Sequence, residues 1–385
     1  MEQTYHVKGL KAAILAMSFL QMATNAIASV LADIAAAFPE ASATTVQYLM
    51  TFPNLLVVVM SVAAAKLAGR VAKRTLAAAG LLLGIAAGIG SWLLHGNLIL
   101  LFVWAGFLGL GIGLVVPMAT SLISDYFVGE EKDAMLGYQT AAANVGSMLM
   151  TFLGGIVAAW GWYYNYLVYL LAVPGLILTM LFVPGKNVAA QRKTSARIPA
   201  GAVPYFVTAA IFMLLFYLGP TNLAMLVEER KLGTAMTAGG AATILLLGGT
   251  LMGLLFGRVA AVIGRNTIPL GFAVMALGYF MIFLSAHPLL LYAGSFLVGS
   301  SNTLVLPQCM GSVVTDDKEQ STFLMSVVFA VANLGTFFAP AQTALAAAVM
   351  RDTSAASRFC FAGMVSMCLA LVLFACRKRM SATSE

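Results

Sequence analysis

The hydrophobic pattern of the chain consists of long runs that contain no Asp, Glu, Lys or Arg. Six of these runs are each long enough for one membrane-spanning helix of about 20 residues, namely 12–32, 41–65, 198–227, 232–257, 320–350 and 359–376. Three longer runs, 75–124, 134–185 and 266–315, are each interrupted by a turn-like sequence: His95-Gly96-Asn97, Trp160-Gly161-Trp162 and His287-Pro288. The pattern therefore predicts an all-α membrane protein with twelve transmembrane helices.

Composition favours a bilayer over water as the solvent of this chain. The 385 residues are 61% hydrophobic and 9% charged, with a mean hydropathy of +0.94. Soluble domains carry about 25% charged residues. The net charge of +7 does not indicate nucleic acid, because the basic residues lie in short turns between apolar runs.

The positions of Lys and Arg predict the orientation in the membrane. With a cytoplasmic N-terminus and alternating spans, most basic residues fall on the cytoplasmic side, and the outer side receives only Arg230, Lys231, Arg351 and Arg358. We therefore expect both termini in the cytoplasm and a location in a bacterial inner membrane.

An internal repeat divides the chain into halves. Gly69-Arg70-Val71-Ala72 recurs as Gly257-Arg258-Val259-Ala260, and Asn144-Val145-Gly146-Ser147 recurs as Asn333-Leu334-Gly335-Thr336. The two matches have nearly the same offset, which indicates duplication. We expect an N-terminal six-helix bundle over 1–184, a basic cytoplasmic linker over 185–203 and a C-terminal six-helix bundle over 204–385.

The basic turn after the second helix resembles that of the major facilitator superfamily, which usually reads Gly-x-x-x-Asp-Arg-x-Gly-Arg-Arg. The corresponding residues here are Ala65, Gly69, Arg70, Ala72, Lys73 and Arg74. The fifth helix is similar to the family's antiporter signature at Gly146, Gly154 and Gly155. The resemblance implies two pseudo-symmetric bundles, alternating access, and a substrate site between the bundles near the middle of the bilayer.

Amides near the middle of the spans are the candidate substrate-binding residues, because an unpaired amide in hydrocarbon is costly. Each could instead hold two helices together. We favour helix packing for Asn144 and Asn333, and a cavity-facing position for Asn25, Asn222 and Asn302. The full set of candidates is Gln21, Asn25, Asn54, Asn144, Tyr217, Asn222, Asn302 and Asn333.

Prolines inside the runs are expected to bend helices, because proline removes one backbone hydrogen bond. They are Pro53, Pro117, Pro174, Pro220, Pro307 and Pro340.

Charged residues at the cytoplasmic ends suggest a gate. We expect Arg70 or Arg74 to pair with Asp125 and, by the repeat, Arg258 or Arg265 to pair with Asp316. The alternative is that these are solvated loop charges.

Charged residues are missing from the centres of the spans, where they usually mark ion pathways. Asp33, at the outer end of the first helix, is the remaining candidate for coupling transport to protons. It could equally be an interfacial or capping residue.

A secondary active transporter is the function that these features predict. The apolar character of the expected cavity favours efflux of a lipophilic, drug-like substrate; uptake or exchange of a small neutral or weakly charged metabolite is the alternative. The many methionines could adapt to varied apolar ligands, but packing between helices is the interpretation that we favour for them. A membrane receptor or an intramembrane enzyme is disfavoured, because we find two matched halves and no catalytic constellation. We expect a monomer in the lipid bilayer that binds a small-molecule substrate and a proton or counter-substrate, without cofactor, metal or nucleic acid.

Overall fold

The structure is a computed structural model that describes residues 7–68, 70–185, 198–313 and 318–380. Within these ranges, the side chains of 65, 66, 133, 260, 265, 318, 319, 321, 322 and 376–380 are not described. The described ranges are helical and contain no strand. The chain divides into two compact units, Met1–Lys193 and Thr194–Glu385. The predicted linker lies largely outside the described residues.

The described residues of the first unit form six apolar segments that are long enough to cross a membrane. The first segment combines α1 (Val7–Ser18) with a 3₁₀ helix, the first 3₁₀ segment (Phe19–Ser29), and is followed by the short α2 (Leu31–Ala37). The next four are α3 (Ala43–Leu67), α4 (Lys73–Leu93), α5 (Leu98–Tyr126) and α6 (Gly129–Val157). After a turn at Ala158–Trp160, the sixth combines the second 3₁₀ segment (Trp162–Ala172) with α7 (Val173–Phe182).

The second unit repeats this organisation with its own irregularities. A turn at Ala200–Ala202 leads into α8 (Val203–Phe216) and α9 (Leu218–Glu229), which together form one broken segment. Three further segments are α10 (Ala235–Ile263), followed by a turn at Gly264–Asn266, α11 (Thr267–Phe283) and α12 (Pro288–Ser312). The last two are the bent pair α13 (Lys318–Phe338) and α14 (Ala341–Met350), and α15 (Ala355–Met380).

The number of apolar helices agrees with the hydrophobic pattern. In the described ranges, ten helices are long and apolar enough to cross a membrane, or eleven if α13 and α14 count as one span with a 52° bend. The apolar but shorter α11 adds the remaining segment. Several side chains on these helices, including Val59, Val62, Leu82, Leu254 and Val262, are more than half exposed. Such surfaces suit contact with lipid.

Local capping chemistry places the helix boundaries at the predicted interruptions. The Asn97 side chain accepts a 2.8 Å hydrogen bond from the Ile99 amide at the start of α5. His287 likewise accepts from the Leu289 amide at 3.2 Å, just before Pro288 opens α12. Gly161 separates the fifth and sixth segments at a φ of +146°, a conformation that favours glycine.

The same helix pairs pack together within each unit. In the first, α5 packs against α3 and α4, and the first 3₁₀ segment packs against α6. In the second, α12 packs against α10 and α11, and α8 packs against α13. These pairs occupy equivalent places in the two halves of the chain, as a duplicated bundle requires.

The repeated Asn-x-Gly sequence lies at equivalent contacts in both units. A methyl group at Gly146 would lie 2.6 Å from the Phe19 Cα, and one at Gly335 would overlap the backbone oxygen of Ala210. Glycine at these two positions lets the backbone of α6 approach the first 3₁₀ segment and that of α13 approach α8.

Candidate functional site

The first 3₁₀ segment is held by polar side chains of α6. Asn25 donates to the Ser147 hydroxyl at 3.1 Å, and that hydroxyl donates to the Met22 backbone oxygen at 3.2 Å. The Thr151 hydroxyl lies 3.3 Å from the Asn25 backbone oxygen. The segment is interrupted at Met22, whose backbone is not helical (φ −118°, ψ +25°), and 3₁₀ helices are usually short. Here side chains from a neighbouring helix supply hydrogen bonds to its backbone.

Asn165 of the second 3₁₀ segment binds the other end of the first one. Its amide nitrogen donates to the Ala26 backbone oxygen and to the Ser29 hydroxyl, both at 3.1 Å, and the residue is fully buried. Asn165 is not among the residues singled out from the sequence. Its place beside a tryptophan- and tyrosine-rich turn gave no indication of a buried amide.

The structure places Asn25 in a helix–helix contact, although we favoured a cavity-facing position. The residue is 8% exposed and its amide nitrogen is engaged by Ser147. Asn144 has the opposite placement: it is half-buried and makes no hydrogen bond with any described residue. The side-chain amide of Asn144 is therefore more available for a hydrogen bond to a ligand than that of Asn25.

Gln21 and Asn54 differ in how their amides are used. Asn54 is 7% exposed and donates to the Thr51 oxygen of its own helix at 3.2 Å. The Gln21 side-chain oxygen is buried and has no hydrogen-bond partner among the described residues. A buried unpaired acceptor is costly, so Gln21 is a site where a donor group would bind favourably.

In the second unit, Asn222 is part of a buried network around Arg358. Its amide nitrogen donates to the Leu218 oxygen at 3.0 Å and to the Thr221 hydroxyl at 3.1 Å. Its side-chain oxygen accepts a 2.8 Å bond from Arg358. Both ends of the amide are thus engaged by the protein, and Asn222 lies in a contact between α9 and α15.

Arg358 is a buried cation near the start of α15 and is only 7% exposed. Its guanidinium also donates to the Thr353 oxygen at 2.8 Å and to the Met225 sulfur at 3.4 Å, whereas its Nε has no partner among the described residues. Glu229 accepts from the Ala355 amide at 2.6 Å and so caps the same helix. Sequence reasoning used Arg358 only as an outer-side charge and missed this network.

The loop before α15 contains an acidic residue with a perturbed pKa. Hydrogen bonds from the Ser354 amide and hydroxyl, both at 2.8 Å, lower the pKa of Asp352 below its usual value. The Arg358 guanidinium acts in the same direction. The carboxylate form of Asp352 therefore favours the folded loop.

Tyr217 lies at the break between α8 and α9, three residues before Pro220. Because proline has no amide hydrogen, the Phe216 oxygen lacks its usual helical donor. The Tyr279 hydroxyl of α11 lies 2.9 Å from that oxygen and 2.6 Å from the Leu215 oxygen. Gln342 donates to the Leu214 oxygen from α14. Two other helices therefore support the break.

The other prolines have varied effects. The bend between α13 and α14 lies at Pro340, as expected, whereas Pro53, Pro117 and Pro307 are inside uninterrupted helices.

Asn302 and Asn333 remain open to a ligand in different degrees. The Asn302 side-chain oxygen is buried without a hydrogen-bond partner in the described part of the chain. Asn333 is half-buried and donates to the Phe329 oxygen of its own helix at 2.9 Å. We favoured a packing role for Asn333, but its amide nitrogen bonds within α13.

Asp125 pairs with Lys73, not with either predicted arginine. The Lys73 ammonium lies 2.5 Å from both the Asp125 carboxylate and the Ser121 hydroxyl, and the two charged side chains are 13% and 17% exposed. Arg70 is exposed, Arg74 is half-buried, and neither forms an ion pair with a described residue. The prediction for Asp125 was wrong in its partner, because Lys73 begins α4 beside the end of α5.

The remaining charged residues singled out from the sequence lie near helix ends or outside the described part of the chain. Arg258 is exposed near the end of α10. The Arg265 side chain and Asp316 lie outside the described residues, so the expected second pair stays a prediction. A second observed ion pair joins Lys11 of α1 to Glu131 of α6 at 2.7 Å. Asp33 is exposed in the first turn of α2, where a negative charge favours the helix N-terminus.

Solved structures with a similar fold are found among membrane transporters. A crystal structure of the peptide transporter POT in complex with sulfate superposes with a TM-score of 0.80 and 16% identity, over 97% of this chain and 95% of that chain. A bacterial homologue of the human lysosomal transporter Spinster, inward-facing and unoccupied, gives a TM-score of 0.75 and 13% identity, over 99% and 97%. At these identities the likeness establishes the fold.

The family model of the Major Facilitator Superfamily matches residues 13–340, and the chain belongs to this superfamily. Among curated protein sequences, none matches the chain. The predicted fold class and family are thereby confirmed: the protein is a multi-pass membrane protein of a transporter family.

Proposed function

We propose that the protein is a secondary active transporter that exports a small lipophilic or drug-like compound by alternating access. The observation that carries this proposal is the type of buried polar atom that has no hydrogen-bond partner in the described spans. At the candidate positions, the buried side-chain atoms without a hydrogen-bond partner among the described residues are the neutral amide oxygens of Gln21 and Asn302. Such oxygens accept hydrogen bonds from hydroxyl, amide or amine groups, and they add no charge to attract a carboxylate.

The placement of charge supports the same substrate class. Among the described spans, Lys73, Asp125, Glu229 and Arg358 all lie within the first or last turn of a helix, and Lys11 and Arg258 lie within two turns of an end. A strongly anionic substrate would be expected to require a cation near the middle of a span. We expect such substrates to be poor ones.

Uptake or exchange of a small neutral or weakly charged metabolite is the second candidate. It is favoured by a structural neighbour, a POT-family transporter in complex with 5-aminolevulinic acid, with a TM-score of 0.74 and 14% identity over 97% of this chain and 96% of that chain. That protein binds a small polar molecule in a similar fold.

Transport into proteoliposomes tests these alternatives. The purified full chain would be reconstituted with an imposed pH gradient and assayed with amphiphilic amines, neutral sugars and small carboxylates. We expect gradient-driven transport of the amines. Transport confined to sugars or carboxylates would instead establish the second candidate, and no transport of any solute class would contradict both.

Substitution of the two amides tests which residues meet the substrate. One hydrogen bond contributes about 1 kcal/mol, so Gln21→Leu and Asn302→Leu should each raise KM for a donor-bearing amine about fivefold. Thr208→Val is the matched control, since this exposed hydroxyl bonds within α8. Unchanged KM in both leucine variants would remove these amides from the site.

The orientation and coupling form part of the proposal. We place both termini in the cytoplasm of a bacterium and assign proton coupling to Asp33. Asp33→Asn should then abolish accumulation driven by a pH gradient while leaving substrate exchange intact. Unchanged accumulation would show that the exposed Asp33 has an interfacial role only.

The Lys73–Asp125 pair is proposed to stabilise the state that is closed to the cytoplasm. Asp125→Asn should then increase the labelling of Cys309 by a membrane-impermeant maleimide, because this buried residue lies near the end of α12 that we place on the cytoplasmic side. The same labelling in the parent protein and the variant would contradict a gating role.

A further inference from the structure

Five polar side chains of the first unit surround one small cavity. They are Thr24 of the first 3₁₀ segment, Ser91 of α4, Trp104 of α5, and Tyr166 and Tyr169 of the second 3₁₀ segment. The rest of the lining is apolar: Ile27, Leu49, Leu101, Ala105 and Leu108. All of these residues belong to Met1–Lys193, so the cavity lies inside a single unit.

None of these five polar side chains has a hydrogen-bond partner among the described residues. The indole Nε1 of Trp104 is buried and unpaired. The four hydroxyl-bearing residues are also buried, with exposures of 5% for Thr24, 2% for Ser91, 5% for Tyr166 and 3% for Tyr169. A buried indole N–H or hydroxyl normally finds a partner, because an unpaired one costs about 1–3 kcal/mol.

The size and chemistry of the cavity define what fits. About 10 Å³ is open to the centre of a water molecule, which is close to the smallest space that holds one water. A water can accept from the Trp104 indole and from one hydroxyl, and it can donate to the oxygens of two other hydroxyls in the lining. The lining contains no carboxylate, so nothing compensates the desolvation of a cation.

We propose that this cavity binds one structural water molecule, which bridges the two 3₁₀ segments to α4 and α5. Both 3₁₀ segments depart from α-helical hydrogen bonding at this level of the bundle, and they contact each other. A water molecule can form these hydrogen bonds in several orientations, whereas a direct bond between two side chains would require one geometry. The bridge joins four elements and does not depend on the proposed substrate or direction of transport.

Nuclear magnetic resonance of the full chain in lipid nanodiscs tests the site. The chain has four tryptophans, Trp92, Trp104, Trp160 and Trp162, so ¹⁵N-indole labelling gives four resolvable resonances, and Trp104→Phe identifies one of them. We expect a cross-relaxation peak between the Trp104 indole proton and water, together with slower indole exchange into deuterium oxide than at Trp160, which is 74% exposed.

A cavity-filling variant provides the matched perturbation. Ala105→Val adds two methyl groups to the lining without removing any polar group, so it should abolish the water peak of Trp104. Ala141→Val, at an exposed position of α6, should leave that peak unchanged.

The proposal is overturned if the Trp104 indole proton shows cross-peaks only to protein protons, or to a co-purified molecule in place of water. It is also overturned if the water peak persists unchanged in a folded Ala105→Val protein.

Discussion

The Asn222–Arg358 bond allows a quantitative prediction about the second unit. Replacing Asn222 by Leu removes the acceptor that lies 2.8 Å from the Arg358 guanidinium. Among the described residues, the Nη1 group then keeps only the Met225 sulfur, a weak acceptor at 3.4 Å. Because Arg358 is 7% exposed, water replaces the lost acceptor poorly.

Two ranges of measured hydrogen-bond energies bound the loss of stability expected for Asn222→Leu. Hydrogen bonds to charged groups contribute about 1.5–3 kcal/mol in proteins, whereas pairs inside membrane bundles average about 0.6 kcal/mol, because the unfolded state in the membrane also finds partners. Arg358 lies within the first turn of α15, where Thr353 supplies another acceptor. We therefore expect Asn222→Leu to lower the free energy of unfolding by about 2 kcal/mol.

A double-mutant cycle measured by denaturation in mixed micelles isolates the bond. Asn222→Leu, Arg358→Leu and the double variant should show a coupling free energy of about 1–2 kcal/mol, because the double variant leaves neither partner buried alone. Arg258→Leu, which removes an exposed arginine of α10, should change stability by less than about 0.5 kcal/mol. Strictly additive effects of the two single variants would refute the reasoning.

Three more predictions concern other contacts. Lys73→Ala and Asp125→Asn should each destabilise the protein by about 1 kcal/mol and be non-additive, because the pair is only partly exposed. Gly335→Ala should cost about 1–3 kcal/mol in a thermal unfolding assay, since its methyl group overlaps backbone, whereas Gly311→Ala meets no atom within 4 Å and should be near neutral. Since the pKa of Asp352 is lowered in the folded state, its stabilisation is present above the usual carboxyl pKa and should be lost as acid titration passes below it.

Each of these has a contrary outcome. Full additivity of the Lys73 and Asp125 variants would show that the ion pair contributes nothing. Equal stability of the two alanine variants would mean that α13 can move away from α8 without cost. A titration of Asp352→Asn that matches the parent protein at every pH would exclude Asp352 as the residue responsible.

The membrane-spanning segments could be predicted from the sequence, because a chain in lipid has few alternatives to long apolar helices. Charge-free runs and the turns at Asn97 and His287 correspond to the observed helix boundaries, since both residues cap the helix that follows. Apart from the bend at Pro340, departures from α-helical geometry inside the spans were not predictable. The first 3₁₀ segment depends on Ser147 and Thr151, which lie in another helix more than a hundred residues away.

Candidate polar residues were found more reliably than their roles. Every amide singled out from the sequence is at least half-buried, but which neighbour binds it depends on helix rotation. Asn25 meets Ser147, whereas Gln21, one turn earlier, retains an unpaired oxygen. The predicted partner of Asp125 was wrong for a similar reason: Lys73 and Arg74 are adjacent, so they point to different sides of α4, and only the first reaches Asp125.

The Tyr279 contact has a consequence for the order in which the protein is built. The break between α8 and α9 leaves backbone oxygens that the Tyr279 hydroxyl caps from α11. Ribosomal synthesis delivers α8, α9 and α10 before α11, so the bend enters the bilayer without its hydroxyl. The seventh segment must therefore complete its geometry after the ninth has been inserted, which makes Tyr279 a late assembly contact in the biogenesis of this unit.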